Sequence, residues 1–196
     1  MDPSVKFVEH KGLKFQRFIS KEKIDKETVR VANEISKDYS DKNPLFIGIL
    51  NGAFIWTADL VRQLSFYNME VEWCKVSSYE GTESVQMKQL VGFKQSIEGR
   101  HVIIVEDIVD SGKTMDNILI HLKSMKPASV SIATLFFKKE NCKFDIPVKY
   151  QGFEIPNTFI IGYGLDFDEF GRNLPEIWHN CADEEKLKQQ EKQQQQ

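Results

Sequence analysis

Val102-Ile103-Ile104-Val105-Glu106-Asp107-Ile108-Val109-Asp110-Ser111-Gly112-Lys113-Thr114 is the stretch that decides the fold. Its first four residues are wholly apolar, the pattern of a central strand buried on both faces. Asp110-Ser111-Gly112 then turns the chain. From Lys113 to Met125 the apolar residues Met115, Ile118, Leu119, Leu122 and Met125 recur at helical spacing, and Pro127 stops the run. A strand that runs through a glycine turn into a helix presents backbone N–H groups at the helix start. Together with the Ser111 and Thr114 hydroxyls they form a cradle for phosphate. Gly112 lets the backbone approach the anion closely. Gly112-Lys113-Thr114 also matches the end of the triphosphate loop G-x-x-x-x-G-K-[ST]. The first glycine of that loop would fall on Asp107, whose carboxylate would repel a triphosphate, so that reading is excluded. Glu106, Asp107 and Asp110 would repel a phosphate too unless they bind hydroxyls, a metal or a proton; sugar hydroxyls suit Glu106 and Asp107.

The rest of the chain repeats this alternation. Lys21–Tyr39 reads as a helix, Leu45–Leu50 as a buried strand, Ala53–Leu64 as a helix and Val71–Ser77 as a strand. Val130–Phe137 and Thr158–Tyr163 read as further strands. Strands separated by helices of this size imply βαβ units and a parallel sheet, hence an α/β fold. Ligands in such sheets bind at the carboxyl ends of the strands, which points to the residues after Leu50, Val105, Phe137 and Ile161. Gly81–Lys94 is polar, with few core candidates, and reads as a long functional loop.

With 196 residues, 41% of them hydrophobic and 28% charged, the chain has ordinary globular composition. We expect one domain over 1–181. The polar, Gln-rich stretch 182–196 buries too little to offset its ordering entropy and reads as a disordered tail. The net charge of -3, from 26 basic and 29 acidic residues, argues against a nucleic-acid or anionic-membrane partner. No apolar stretch approaches the ~18 residues of a spanning helix, and the N-terminus is too polar for a signal peptide. Three widely spaced cysteines, none in a C-x-x-C pair, imply a reduced, cytoplasmic home. No role is assigned to His10, His101, His121, His179 or the cysteines.

The segment Glu106–Thr114 resembles the phosphoribosyl pyrophosphate signature of the type I phosphoribosyltransferases. Other segments narrow the resemblance to the hypoxanthine-guanine branch. Leu50-Asn51-Gly52 is similar to its pyrophosphate loop, and Ser78-Tyr79 to the start of its catalytic lid, about 78–95. Lys138 matches its purine-selecting lysine. Phe153-Glu154-Ile155-Pro156 and Phe159–Asp166 match its base-binding hood, and Arg172 its closing arginine. The similarity runs from about Phe46 to Leu174. It implies a central, mainly parallel twisted sheet flanked by helices, with a small hood subdomain built from terminal segments.

The implied reaction moves a 5-phosphoribosyl group to N9 of hypoxanthine or guanine, giving a nucleoside monophosphate and pyrophosphate with Mg²⁺ as cofactor. Asp110 would be the general acid/base at purine N7. Ser111, Gly112, Lys113 and Thr114 would hold the 5′-phosphate. Asp166, Glu106 and Asp107 would serve the metal. Lys138 would donate to O6, leaving donor facing donor with adenine. Phe159 would stack on the purine, the Ile160 backbone would read its edge, and Asp166 would lie beside it. Arg172 would meet pyrophosphate through its planar fork, and Ser78 and Tyr79 would close over the reactive centre to exclude water. Many relatives carry a basic residue where Asn51 stands, and the resemblance admits a cis Leu50–Asn51 peptide. A homodimer or homotetramer is expected. Two other readings are a phosphoribosyl-pyrophosphate-sensing regulator on the same fold, and a transferase for another base such as xanthine.

Overall fold

In the computed structural model, which describes residues 5–75 and 96–183, two strands come first, β1 (Phe7–His10) and β2 (Leu13–Ile19). The Ser20 hydroxyl accepts from the Lys23 N–H and opens α1 (Lys21–Tyr39). Ile24, Val31, Ala32 and Ile35 share its buried face, as a period of 3.6 requires. Then follow β3 (Leu45–Leu50), α2 (Phe54–Arg62), β4 (Glu70–Lys75), β5 (His101–Val109), α3 (Lys113–Ser124), β6 (Ser129–Phe137), a 3₁₀ turn (Lys139–Asn141), β7 (Val148–Glu154), β8 (Ile160–Ile161) and β9 (Ile177–Asn180).

Five strands form a parallel sheet in the order β4-β3-β5-β6-β7. The chain steps from β3 to β4 on one side, then crosses to β5 on the other side of β3. Such a reversal leaves a crevice between the carboxyl ends of β3 and β5, where ligands bind in open α/β sheets. Both faces of the sheet are covered. Phe46, Ile103 and Val105 pack with the Ile24–Ile35 face of α1 and with Trp56 and Leu60 of α2. Leu45, Ile47, Val102 and Ile104 pack with Ile118, Leu119 and Leu122 of α3. Each fully buried side chain of this kind contributes about 1.5–3 kcal/mol, which is why these strands read as unbroken apolar runs.

β1, β2, β9 and β8 form a separate antiparallel sheet over its own cluster of Phe15, Ile161, Leu174 and Trp178. This sheet corrects the reading of Thr158–Tyr163 as a strand of the parallel sheet. Only Ile160 and Ile161 pair, antiparallel to β9, because Gly162, Tyr163 and Gly164 all take positive φ and turn the chain away. A second difference concerns the hood segment at Phe153. Phe153 and Glu154 end β7, the outer strand of the parallel sheet. No described helix is long and apolar enough to cross a membrane.

Candidate active site

The central strand does not stop at Val105. β5 continues through Glu106 and Asp107 to Val109. Val102 and Ile104 share a cluster with Val109, whereas Ile103 and Val105 share one with Ile108. The alternation therefore changes phase around Glu106 and Asp107. Neighbouring side chains of a regular strand point to opposite faces; here two carboxylates at the change of phase perturb each other instead. Burial, then the charge of Asp107, pushes the Glu106 carboxyl well above the usual carboxylate range. Burial raises Asp107 as well, against its hydrogen bonds with Glu106 and the Ile108 N–H and the weaker pull of Arg172. Glu106 Oε2 is buried with no hydrogen-bond partner among the described residues. Cys74 stands close by, its thiol pushed up to about 12 by burial and by the charge of Glu106.

At the crevice between β3 and β5 the backbone of Gly52 lies tightly against Asp107. A Cβ on Gly52 would stand 1.6 Å from Asp107 Oδ2, so only glycine fits beneath this carboxylate. Asp107 Oδ1 accepts from the Ile108 N–H at 2.8 Å. The Leu50–Asn51 peptide is cis, and the exposed Asn51 side chain follows it.

Beyond β5 the chain turns at Asp110 and Ser111. Gly112 has a φ of +83° and caps α3 without a side chain. The turn encloses a cavity of about 140 Å³, lined by Glu106–Gly112, Thr114 and Met115. Backbone N–H groups at a helix start and the hydroxyls of Ser111 and Thr114 suit a phosphate there. Lys113 is exposed and does not line this cavity.

A second cavity of about 230 Å³ adjoins the first. It shares Asp107, Ile108 and Asp110 with it and adds Lys138, Phe159, Ile160, Leu165 and Asp166. Lys138, at the end of β6, is 5% exposed and donates from Nζ to Asp110 Oδ2 at 2.8 Å. A buried ammonium needs such a partner. Phe159 is exposed along the cavity and packs edge-on against Phe167, centroids 5.6 Å apart. Ile160 is buried. Arg172 donates from Nη1 to the Gly164 carbonyl at 3.0 Å and pairs through Nη2 with Asp166 at 2.8 Å and Glu169 at 3.3 Å.

The fold thus gathers Leu50, Asn51 and Gly52 with Glu106–Thr114, and Lys138 with Phe159, Ile160 and Asp166. Arg172 sits on Asp166 instead of extending alone into the crevice. Ser78, Tyr79 and the expected lid lie outside the described residues. Sequence reasoning missed Asn141, whose side-chain amide donates to Asp110 Oδ1. It belongs to no motif, and its only sequence signal is its place three residues after Lys138.

The Phosphoribosyl transferase domain family matches residues 20–168. A curated relative, the hypoxanthine-guanine phosphoribosyltransferase of Dictyostelium discoideum, is 45% identical over 160 residues, 79% of this chain and 89% of that protein. The hypoxanthine-guanine-xanthine phosphoribosyltransferase of Tritrichomonas foetus is 43% identical over 156 residues, 79% of this chain and 85% of that protein. Among solved structures, a hypoxanthine phosphoribosyltransferase from Staphylococcus aureus superposes with a TM-score of 0.77 at 34% identity, covering 86% of this chain and 92% of that one. With a parallel sheet, a phosphate-sized cavity at its switch point and a family match over most of its length, the chain belongs to the phosphoribosyl transferase family.

Proposed function

We propose that this chain is a purine-salvage enzyme that moves the 5-phosphoribosyl group of phosphoribosyl pyrophosphate to N9 of hypoxanthine or guanine. The observation that carries this reading is the pair of adjoining cavities that meet at Asp110. One is a helix-start anion cradle. The other is walled by an aromatic ring and floored by a buried ammonium. Two ligands seated in them would face each other across Asp107, Ile108 and Asp110.

Each residue then has a task. The N–H groups and hydroxyls of 111–114 hold the 5′-phosphate, with Lys113 contributing charge from outside the cavity. Glu106 and Asp107 take the ribose hydroxyls. Lys138 leaves Asp110 to donate to the purine O6, and the freed Asp110 oxygen faces N7 as general acid/base. Phe159 stacks on the ring. Leu50, Asn51, Gly52 and Arg172 meet the pyrophosphate, and Ser78 and Tyr79 belong to the lid. An adenine 6-amino group would confront the Lys138 ammonium, so adenine is rejected.

Mg²⁺ fits this site. Glu106 Oε2 is a buried oxygen without a partner among the described residues, and the described cations Lys138 and Arg172 already face carboxylates. A pyrophosphate added to this acidic crevice calls for further positive charge. Among the described residues no three His, Cys, Asp or Glu side chains converge on a ready-made metal site. Mg²⁺ suits one or two carboxylates shared with substrate phosphates and water. Asp166, Glu106 and Asp107 would hold it, and it would neutralise the departing pyrophosphate.

The reading includes a cytoplasmic homodimer or homotetramer, which sedimentation would check. Its central test is nucleotide formation from phosphoribosyl pyrophosphate with hypoxanthine, guanine, xanthine or adenine, with and without a chelator. Mg²⁺-dependent product from the first two and none from adenine is expected. Product from adenine alone would refute the reading, as would pyrophosphate-substrate binding with no turnover on any base.

A further inference from the structure

Asp110 is held from two sides. Lys138 Nζ donates to Oδ2, and the Asn141 side-chain amide donates to Oδ1. The two donors differ in what they can do afterwards. Lys138 lines the purine-sized cavity together with Asp110, whereas Asn141 lines neither cavity. The backbone fixes the place of Asn141 independently of its side chain. Lys138 N–H donates to the Val109 carbonyl at 2.9 Å, Asn141 N–H to the Lys138 carbonyl at 3.0 Å, and Lys143 N–H to the Ser111 carbonyl at 3.0 Å. The 138–143 segment is thereby stitched along the 109–111 turn, with the Asn141 amide between the stitches. A base arriving in the cavity would draw Lys138 to itself and leave Asn141 where it stands.

We propose that Asn141 is a positioning residue for Asp110: it occupies Oδ1 and so aims Oδ2, the oxygen on the Lys138 side, at the purine. A carboxylate at the cavity wall with one oxygen held loses a rotational freedom that would otherwise spread its proton acceptor over two orientations. A neutral amide suits this task, since it donates without competing for the substrate. The inference rests on Asp110 being the acid/base of the proposed reaction.

The test is a double-mutant cycle between Asn141→Leu and Asp110→Asn, reading kcat and KM for both substrates. Asn141→Leu is expected to lower kcat about tenfold, the loss of one hydrogen bond to a charged group. The KM for phosphoribosyl pyrophosphate should stay within about twofold, because the phosphate cradle is untouched. In the Asp110→Asn background the same substitution should cost nothing more. A wild-type kcat for Asn141→Leu, or losses that multiply across the cycle, would overturn the inference. Should Asn141→Leu fail to fold, Asn141→Asp keeps the shape and sets an acceptor against Oδ1; its kcat should fall at least as far, and an unchanged kcat would overturn the proposal equally. If Asp110→Asn alone retained the full rate, the reading of the reaction would fall and take this inference with it. An effect of Asp110→Asn with none at Asn141 would remove the inference alone.

Discussion

Gly52→Ala is the sharpest single perturbation of this site. The new methyl would stand 1.6 Å from Asp107 Oδ2 and 2.5 Å from its Cγ. Ordinary contact begins near 3.5 Å, so the carboxylate or the loop must retreat by about 2 Å. Asp107 is short, and its other oxygen is tied to the Ile108 N–H, so the strain spreads into β5. Misplacing a site group by 1 Å can cost ~10²-fold in rate, and overpacking of this kind costs about 1–3 kcal/mol of stability. We expect kcat to fall by about 100-fold or more and the melting temperature to drop by several degrees. Spectrophotometric nucleotide formation and a thermal melt with and without phosphoribosyl pyrophosphate would measure both. A Gly52→Ala protein within threefold of the wild-type rate and one degree of its Tm would refute the reasoning. It would mean that the crevice does not hold Asp107 against this loop during turnover.

Three further outcomes follow from the geometry. Glu106 is protonated in folded and unfolded chains alike below the usual carboxylate range. As pH rises from there, the unfolded chain releases its proton first, so the native state loses stability until its own raised pKa is passed. Glu106→Gln should therefore melt higher than wild type at pH 8 and equally at pH 4, and a lower melt at pH 8 would contradict this. Lys138→Ala should reduce the preference for hypoxanthine over adenine by ~10²-fold or more in kcat/KM; unchanged discrimination would remove Lys138 from base selection. The Tyr163 hydroxyl donates to Asp59 of α2, so Tyr163→Phe should cost about 1.5 kcal/mol, seen as a Tm loss of ~3–6 °C in a thermal melt; an unchanged Tm would remove this bond from the stability of the fold.

The parts legible in the sequence are those in which one face or one turn decides the structure. α1, β3, β5 and α3 each bury a continuous stripe, and their residues announce it. Asp110-Ser111-Gly112 reads as a turn because Gly112 alone adopts its left-handed φ easily. β7 was missed because VKYQGFE carries few apolar residues and a glycine, and it lies at the outer edge of the sheet. β2 and β9 were missed because they pair across the chain, Phe15 with Asn180 and Ile19 with Ile177, a relation no local period encodes; β1, only four residues long, pairs with β2 across the short Lys11-Gly12 turn. At the site, the motif residues were legible by spacing, but their pairing was not. Nothing in the string says that Lys138 and Asn141 close on one carboxylate, because that contact depends on how the segments after β5 and β6 meet, or that Arg172 folds back on Asp166 within the loop between β8 and β9.

The small antiparallel sheet sets an order of events during synthesis. Its β2 strand ends at Ile19, yet its partner β9 begins only at Ile177. The β8 strand that carries Ile160 into the purine-sized cavity pairs with that same β9. On the ribosome β3 through β7 emerge first, but the β8 wall of the second cavity must wait for residues near 180. Closing a loop of that length adds little entropic penalty over a shorter one. What it adds is delay, since domains emerge at ≈ 5–20 residues per second. The segment that lines the first cavity, Glu106–Met115, is thus synthesised well before the β8–β9 wall of the second.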